Sequence, residues 1–419
     1  MLKQIIEAAR LSPEFCASLI RVPAEQFKEW VDGKRPLPHF VVPELSTILG
    51  VSTKDLTARR PARGSSDSSV APAIWFKLRD EKLTPADREF VGLVRRLGFF
   101  ISQLETIRGI RSSSAWRAVA QTVAAEVDRA APPAVQGRDV ALRFRAAANL
   151  EHGQAGIGEI LRPRLRQIGL AVIESPIPKS SLEGCCFAVG GEGTLGPCVF
   201  ANTFKSTWFR RNEILLHEVC HAIFDLENDP VSLDFLDQAG DLSNLSEARA
   251  HAFAQEALVP RSVLVHFTNQ LGINWTFLTE RQLAGLLAEV HVEQKTLLEA
   301  AYDDGLIDDE LLVKYMKYTC ADDLRELSPH AGTTREFLRR QASESPKWIV
   351  ENRHTTAGAR TLRLPVGYVQ QVIDAVNAGD ISIGKAAELL MMDRCTTPEF
   401  VAPSTPTGPW TSPAVCTIL

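Results

Sequence analysis

Apolar residues recur at helical spacing along most of this chain, and only between about residues 170 and 202 do they gather into short, strand-length runs. In residues 84–131 the stripe Phe90, Leu93, Val94, Leu97, Ile101 and Leu104 predicts one long helix, with a second around Trp116–Val127. Ahead of it, Leu2–Arg10, Pro13–Ile20, Ala24–Val31 and Val42–Leu49 predict short helices with tight connections, the arrangement of a helix-turn-helix bundle. Leu170–Glu174, Gly184–Val189 and Gly196–Asn202 predict three strands around a Gly-rich turn. Two further helices stand out beyond the strands. Glu213–Phe224 is an apolar, Pro-free run with the character of a buried helix. Ser246–Pro260 opens on a good N-cap, is filled with alanines and stops at proline. Leu278–Leu306 and Val366–Met392 each read as a helix pair, the latter joined at Gly379–Ser382, and the Pro, Thr and Ser after Asp393 predict disorder.

The buried helix carries chemistry. Residues His217-Glu218-Val219-Cys220-His221 form an HExxH box. On a helix, histidines four apart share a face and can reach one ion, while Glu218 is placed to take a proton from a water held there. A catalytic zinc uses three protein ligands and keeps one position open, so a third must come from another rigid element. The Ser246–Pro260 helix offers Glu247 and His251, four apart on one face, so whichever binds the metal leaves the other as its supporting partner. Glu247 is preferred, because a carboxylate commonly completes a two-histidine site. Asp225 and Glu227 are weaker candidates in an acidic stretch, 225–241, that holds six acids and no base and reads as a solvated loop or a lid. Cys220 reads as a small core residue, and Cys185, Cys186 and Cys198 as buried strand thiols.

Composition narrows the setting. The chain has 419 residues, 46 Lys or Arg against 51 Asp or Glu, and a net charge of -5, so there is no global attraction to nucleic acid or to an acidic membrane. Eight cysteines without paired spacing, no leader pattern and no span-length apolar run lead to the expectation of a reducing cytoplasm and no membrane. Residues 1–60 hold nine bases and seven acids, a surplus of about +2 that is weak for phosphate binding and that a homodimer would reinforce.

The HExxH box followed 26 residues later by Glu247-x-x-Ala250-His251-x-Phe253-Ala254-x-x-x-Leu258-x-Pro260 resembles the ImmA/IrrE metallopeptidases. That resemblance implies Zn2+ bound by His217, His221 and Glu247, with Glu218 as general base and His251 in a supporting position. This chain departs from the family pattern at His251, where Asn is usual, at Cys220, where Gly is usual, and at Ala257 and Val259. The N-terminal run resembles the XRE (Cro and lambda repressor-like) DNA-binding domain, although Arg21 stands where glycine is usual at the tight turn. The likeness implies that Ala24–Val31 enters the major groove, with Gln26 and Lys28 facing double-stranded DNA and Lys34 and Arg35 near phosphate.

Taken together, the expected architecture is a mainly α, multidomain chain. A helix-turn-helix domain (1–60) is followed by a flexible linker (61–72), a helical connector (73–135) and an α+β zincin-like metallopeptidase core with a small sheet (136–265). After these come a helical helix-turn-helix-like segment (266–330), a C-terminal helical segment (331–392) and a disordered tail (393–419). The resemblance implies a zinc-dependent regulatory endopeptidase that cleaves a repressor or antitoxin-like regulator. The alternative is a DNA-binding transcriptional regulator or antitoxin whose metallopeptidase-like domain serves as a sensor or partner platform.

Overall fold

The computed structural model describes residues 2–8, 11–20, 22–39, 41–42, 45, 56, 84–109, 113–150, 156–178, 180–188, 197–204, 206–226, 231–235, 244–328, 349–352, 361–391 and 415–418. The linker 61–72, Arg21, Glu227 and most of the helix expected at Val42–Leu49 lie outside these residues. In chain order the helices are α1 Leu2–Ala8, α2 Pro13–Leu19, α3 Ala24–Val31, α4 Pro85–Ile107, α5 Ser113–Ala124, α6 Pro133–Ala147 and α7 Gly158–Gln167. Strands β1 Ala171–Ser175, β2 Leu182–Phe187 and β3 Cys198–Asn202 precede α8 Trp208–Phe224, after which come β4 Val231–Phe235 and α9 Leu245–Leu258. Then follow α10 Arg261–Gln270, α11 Glu280–Val290, α12 Gln294–Asp303, α13 Asp309–Met316 and α14 Ala321–Leu327. The C-terminal part supplies β5 Ile349–Asn352, β6 Thr361–Arg363, α15 Val366–Asn377, α16 Ile383–Leu389 and β7 Val415–Ile418. Helices thus predominate around a small mixed sheet, and no helix among the described residues is long and apolar enough to cross a membrane.

The sheet has the order β1-β3-β2-β4, with β1 parallel to β3 and β2 antiparallel to both of its neighbours. Alternation along each strand sends side chains to opposite faces. Val172, Cys186, Val199 and Ala201 join the core that holds α8 and α9, whereas Ile173, Cys185, Phe187, Cys198 and Phe200 join a second core on the other face. That second core also contains Leu97 and Leu104 of α4, Phe15, Phe27 and Trp30 of the N-terminal helices, and Tyr368, Val372 and Leu389 of the C-terminal pair. The ring centroids of Phe90 and Phe200 lie 5.7 Å apart. The N-terminal helices therefore share a core with the sheet, whereas the sequence reading set them off as a domain. Their apolar faces need cover, and α4, opened by a Thr84–Asp87 capping box, provides it.

Three other expectations change. The boundary placed at residue 136 falls inside α6, which begins at Pro133 and packs tightly along α9. At Gly137 an added Cβ would lie 2.3 Å from the carbonyl oxygen of Arg249, so only glycine lets the two backbones approach this closely. The acidic stretch read as a solvated loop contributes the edge strand β4. In the tail expected to be disordered, β7 pairs in parallel with β5 in a three-stranded sheet, because the open edge of β5 satisfies its backbone groups.

Candidate metal centre

Helix α8 starts from Thr207, whose hydroxyl accepts a hydrogen bond from the Arg210 amide and closes the first turn. Its ligand face presents His217 and, one turn on, His221, and α9 crosses this face with Glu247 in its own first turn. Nε2 of His217 lies 3.0 Å from Nε2 of His221 and 3.1 Å from Oε2 of Glu247, and Nε2 of His221 lies 3.6 Å from Oε1 of Glu247. All three donor atoms fall within 4.8 Å of one another. A tetrahedral ion with zinc-nitrogen bonds of about 2.0–2.1 Å needs donors roughly 3.3 Å apart. The spacing fits. Two imidazole nitrogens and a carboxylate converging in this way, half-buried or buried, are a group that could hold a metal ion.

The electrostatics agree. Burial alone would lower the His221 pKa, but hydrogen bonds with Asp225 and Glu247, and the nearby charge of Glu218, push it up to about 10. Burial likewise works to raise the Glu247 carboxyl, yet its bonds to His217 and His221 hold it well below the usual carboxylate range. Both shifts express the same demand for positive charge between these groups.

Glu218 follows His217 by one residue and is therefore turned about 100° from the ligand face, toward the sheet. It is fully buried and lies over Gly184 of β2, where an added Cβ would meet its Oε1 at 2.5 Å and Ile214 Cγ2 at 2.8 Å. Gly184 thus makes the space that Glu218 fills. A glycine inside a strand marks such a close approach, but from sequence Gly184 served only to open a strand.

Asp225 is a second residue whose role sequence reasoning missed. Its carboxylate lies 2.7 Å from Nδ1 of His221 and 2.6 Å from the guanidinium of Arg249, which in turn sits 4.2 Å over the Phe224 ring. An acceptor on Nδ1 fixes the tautomer that leaves Nε2 free for a metal. The available signal was the i, i+4 spacing from His221. His251, expected to support Glu247, does not join the triad. Its nitrogens lie 3.9 Å from Glu213 and 3.6 Å from Glu299, because α9 crosses α8 so that one turn beyond Glu247 meets one turn before His217.

Arg210 and Arg211, in the first turn of α8, are both drawn into ion pairs with the sheet. Arg210 reaches Glu183 of β2 at 2.6 Å and Glu213 at 2.8 Å. Arg211 reaches Glu174 of β1 at 3.3 Å, beside Arg162, which holds both Glu174 oxygens at 2.7 Å. Burial opposes ionisation of Glu174, but the Arg162, Arg211 and Arg166 charges outweigh it and bring the carboxyl down to about 2. These pairs fasten α8 to the sheet. Cys185, Cys186, Cys198 and Cys220 are buried thiols, as the sequence suggested, and desolvation pushes the Cys220 thiol up.

On α3, Gln26 and Lys28 are half-buried, and Lys34 and Arg35 are exposed beyond its end. Each cation has an acidic neighbour. Lys28 pairs with Glu14 at 2.9 Å and Glu25 at 3.4 Å, Lys34 with Asp32 at 3.2 Å and Arg35 with Glu29 at 3.1 Å. Among the described residues, these three bases are matched by four acids, which offsets the positive charge that phosphate binding uses. Compared with protein-family models and with curated proteins, the chain matches none.

Proposed function

We propose that this chain is a zinc-dependent endopeptidase of the ImmA/IrrE kind. The observation that carries the reading is the convergence of His217, His221 and Glu247, with the buried carboxylate of Glu218 on the next position of the same helix. Zinc in this site would supply Lewis acidity toward a peptide carbonyl and acidify a water. Glu218 would serve as the proton carrier, accepting a proton from the attacking water and passing one to the departing amine as the C–N bond breaks. Asp225 holds the His221 ring in one tautomer, and Arg249 balances the charge of Asp225. The substrate that follows from the family resemblance is a repressor or antitoxin-like regulator. The paired charges around α3 give the DNA-binding half of the reading less support than the peptidase half.

The test combines metal content with cleavage. We expect one zinc per chain, lost in Glu247→Ala, and a Glu218→Gln variant that keeps zinc but no longer cleaves. Cleavage unchanged in Glu218→Gln would overturn the mechanism, and a purified protein without metal would overturn the reading as a whole.

A further inference from the structure

Strand β2 runs directly beside the candidate base. Its Gly184 is the residue against which Glu218 packs. One edge of β2 is taken by β3, and the other, outer edge is the place where an extended peptide could add to the sheet next to Glu218 by main-chain hydrogen bonds. In this chain that edge is filled from within. β4 pairs with it antiparallel, with Phe187 on Val231, Cys186 on Ser232, Cys185 on Leu233, Gly184 on Asp234 and Leu182 on Phe235. The residue of β4 registered on Gly184, and so brought nearest to the base along the ladder, is Asp234. The register also slips between Leu182 and Gly184. β4 belongs to the segment that joins the two ligand helices, leaving α8 after His221 and returning at α9 before Glu247.

We propose that β4 is a self-inhibitory strand: it occupies the β2 edge as a stand-in for an extended peptide, and a substrate segment must replace it before cleavage. The proposal rests on the peptidase reading for its consequence, but the occupied edge is a matter of backbone pairing alone. β4 is only five residues long, so the ladder it contributes is short. Its strength as a competitor comes from tethering, since a segment joined by short connections to both neighbouring helices acts at an effective concentration on the order of millimolar. A peptide arriving from solution must outbind that. A repressor-like substrate docked elsewhere on the chain gains the same tethered advantage and displaces β4 at concentrations where a free peptide does not.

The experiment uses the full, zinc-loaded chain with fluorescein-labelled denatured casein as an extended-peptide probe, reading binding by polarisation and cleavage by gel. Ser232→Pro and Leu233→Pro are compared with the parent. In an edge strand alternate residues direct their N–H into the ladder, so one of the two removes a bond to β2 and the other does not. We expect at least one variant to bind and cleave casein about tenfold better than the parent with zinc content unchanged. Hydrogen exchange on the parent protein covers the case in which both variants misfold. Saturating casein should then strip protection from the β4 amides while β2 stays protected. If neither folded variant improves binding, or if bound casein leaves β4 protection intact, the strand is a fixed part of the sheet and the proposal falls. Improved binding without any cleavage would uphold the strand and sink the peptidase reading. Glu218-dependent cleavage that no β4 change enhances would do the reverse.

Discussion

Replacing Gly184 with alanine tests the link between the sheet and the candidate base. The new Cβ would stand 2.5 Å from Glu218 Oε1 and 2.8 Å from Ile214 Cγ2, where ordinary contact begins at 3.4 Å. The carboxylate must therefore withdraw by about 0.9 Å, the difference between 3.4 and 2.5 Å. Glu218 is fully buried, so it has no open space to retreat into and its neighbours must give as well. Overpacking of this kind costs about 1–3 kcal/mol of stability. The effect on cleavage is larger in kind, because misplacing a reacting group by roughly 1 Å costs on the order of a hundredfold in rate. The three atoms nearest the new Cβ belong to Glu218 and Ile214 and to no metal ligand, so zinc stoichiometry should stay at the parent value. The assay is kcat/KM on casein at saturating zinc, with the melting temperature and metal content measured on the same preparation. Parent-level activity in Gly184→Ala would refute the placement of Glu218 as base against β2. Loss of zinc in step with activity would refute the claim that the glycine acts on the base and leaves the ligands alone.

Two other predictions follow from charge pairs. In Asp225→Asn the His221 ring loses its carboxylate acceptor and Arg249 its counter-charge, so zinc affinity measured by chelator competition should fall about 10- to 100-fold; unchanged affinity would remove Asp225 from the site. Glu174 is held near 2, below the ordinary carboxylate value of 4.5, by Arg162 and Arg211. Because the folded pKa is the lower one, its contribution of roughly 3 kcal/mol is complete above pH 4.5 and drains away as pH falls from there toward 2. Acid unfolding followed by circular dichroism should show that loss, and a Glu174→Gln variant should be destabilised at pH 7 with a flatter dependence between pH 5 and 2. A parallel acid profile in the two proteins would show that the Arg162–Glu174 pair carries no such weight.

The sequence by itself determined the elements whose signals are local. Helical periodicity placed the helix of the HExxH box, the helix that begins near Glu247 and the long helix under Phe90–Leu104, and strand-length apolar runs placed β1, β2 and β3 within a few residues. It also determined that His217 and His221 could meet on one ion, since four-residue spacing on a helix is a matter of backbone geometry alone. The tertiary structure decided what depends on how separate elements cross. His251 and Glu247 share a helix face, yet the angle between α8 and α9 sends one to Glu213 and the other to the histidines. Asp225 appeared to belong to an acidic loop until the fold set Arg249 beside it. β4 carries no periodic signal strong enough to outweigh its acidic surroundings, and it becomes a strand because β2 offers it unpaired backbone groups. The N-terminal helices read as a free-standing bundle because their own pattern is complete, but their apolar residues join the core that α4 shares with one face of the sheet. A chain's periodicity records that a face must be buried; the partner that buries it is fixed only when distant segments pack.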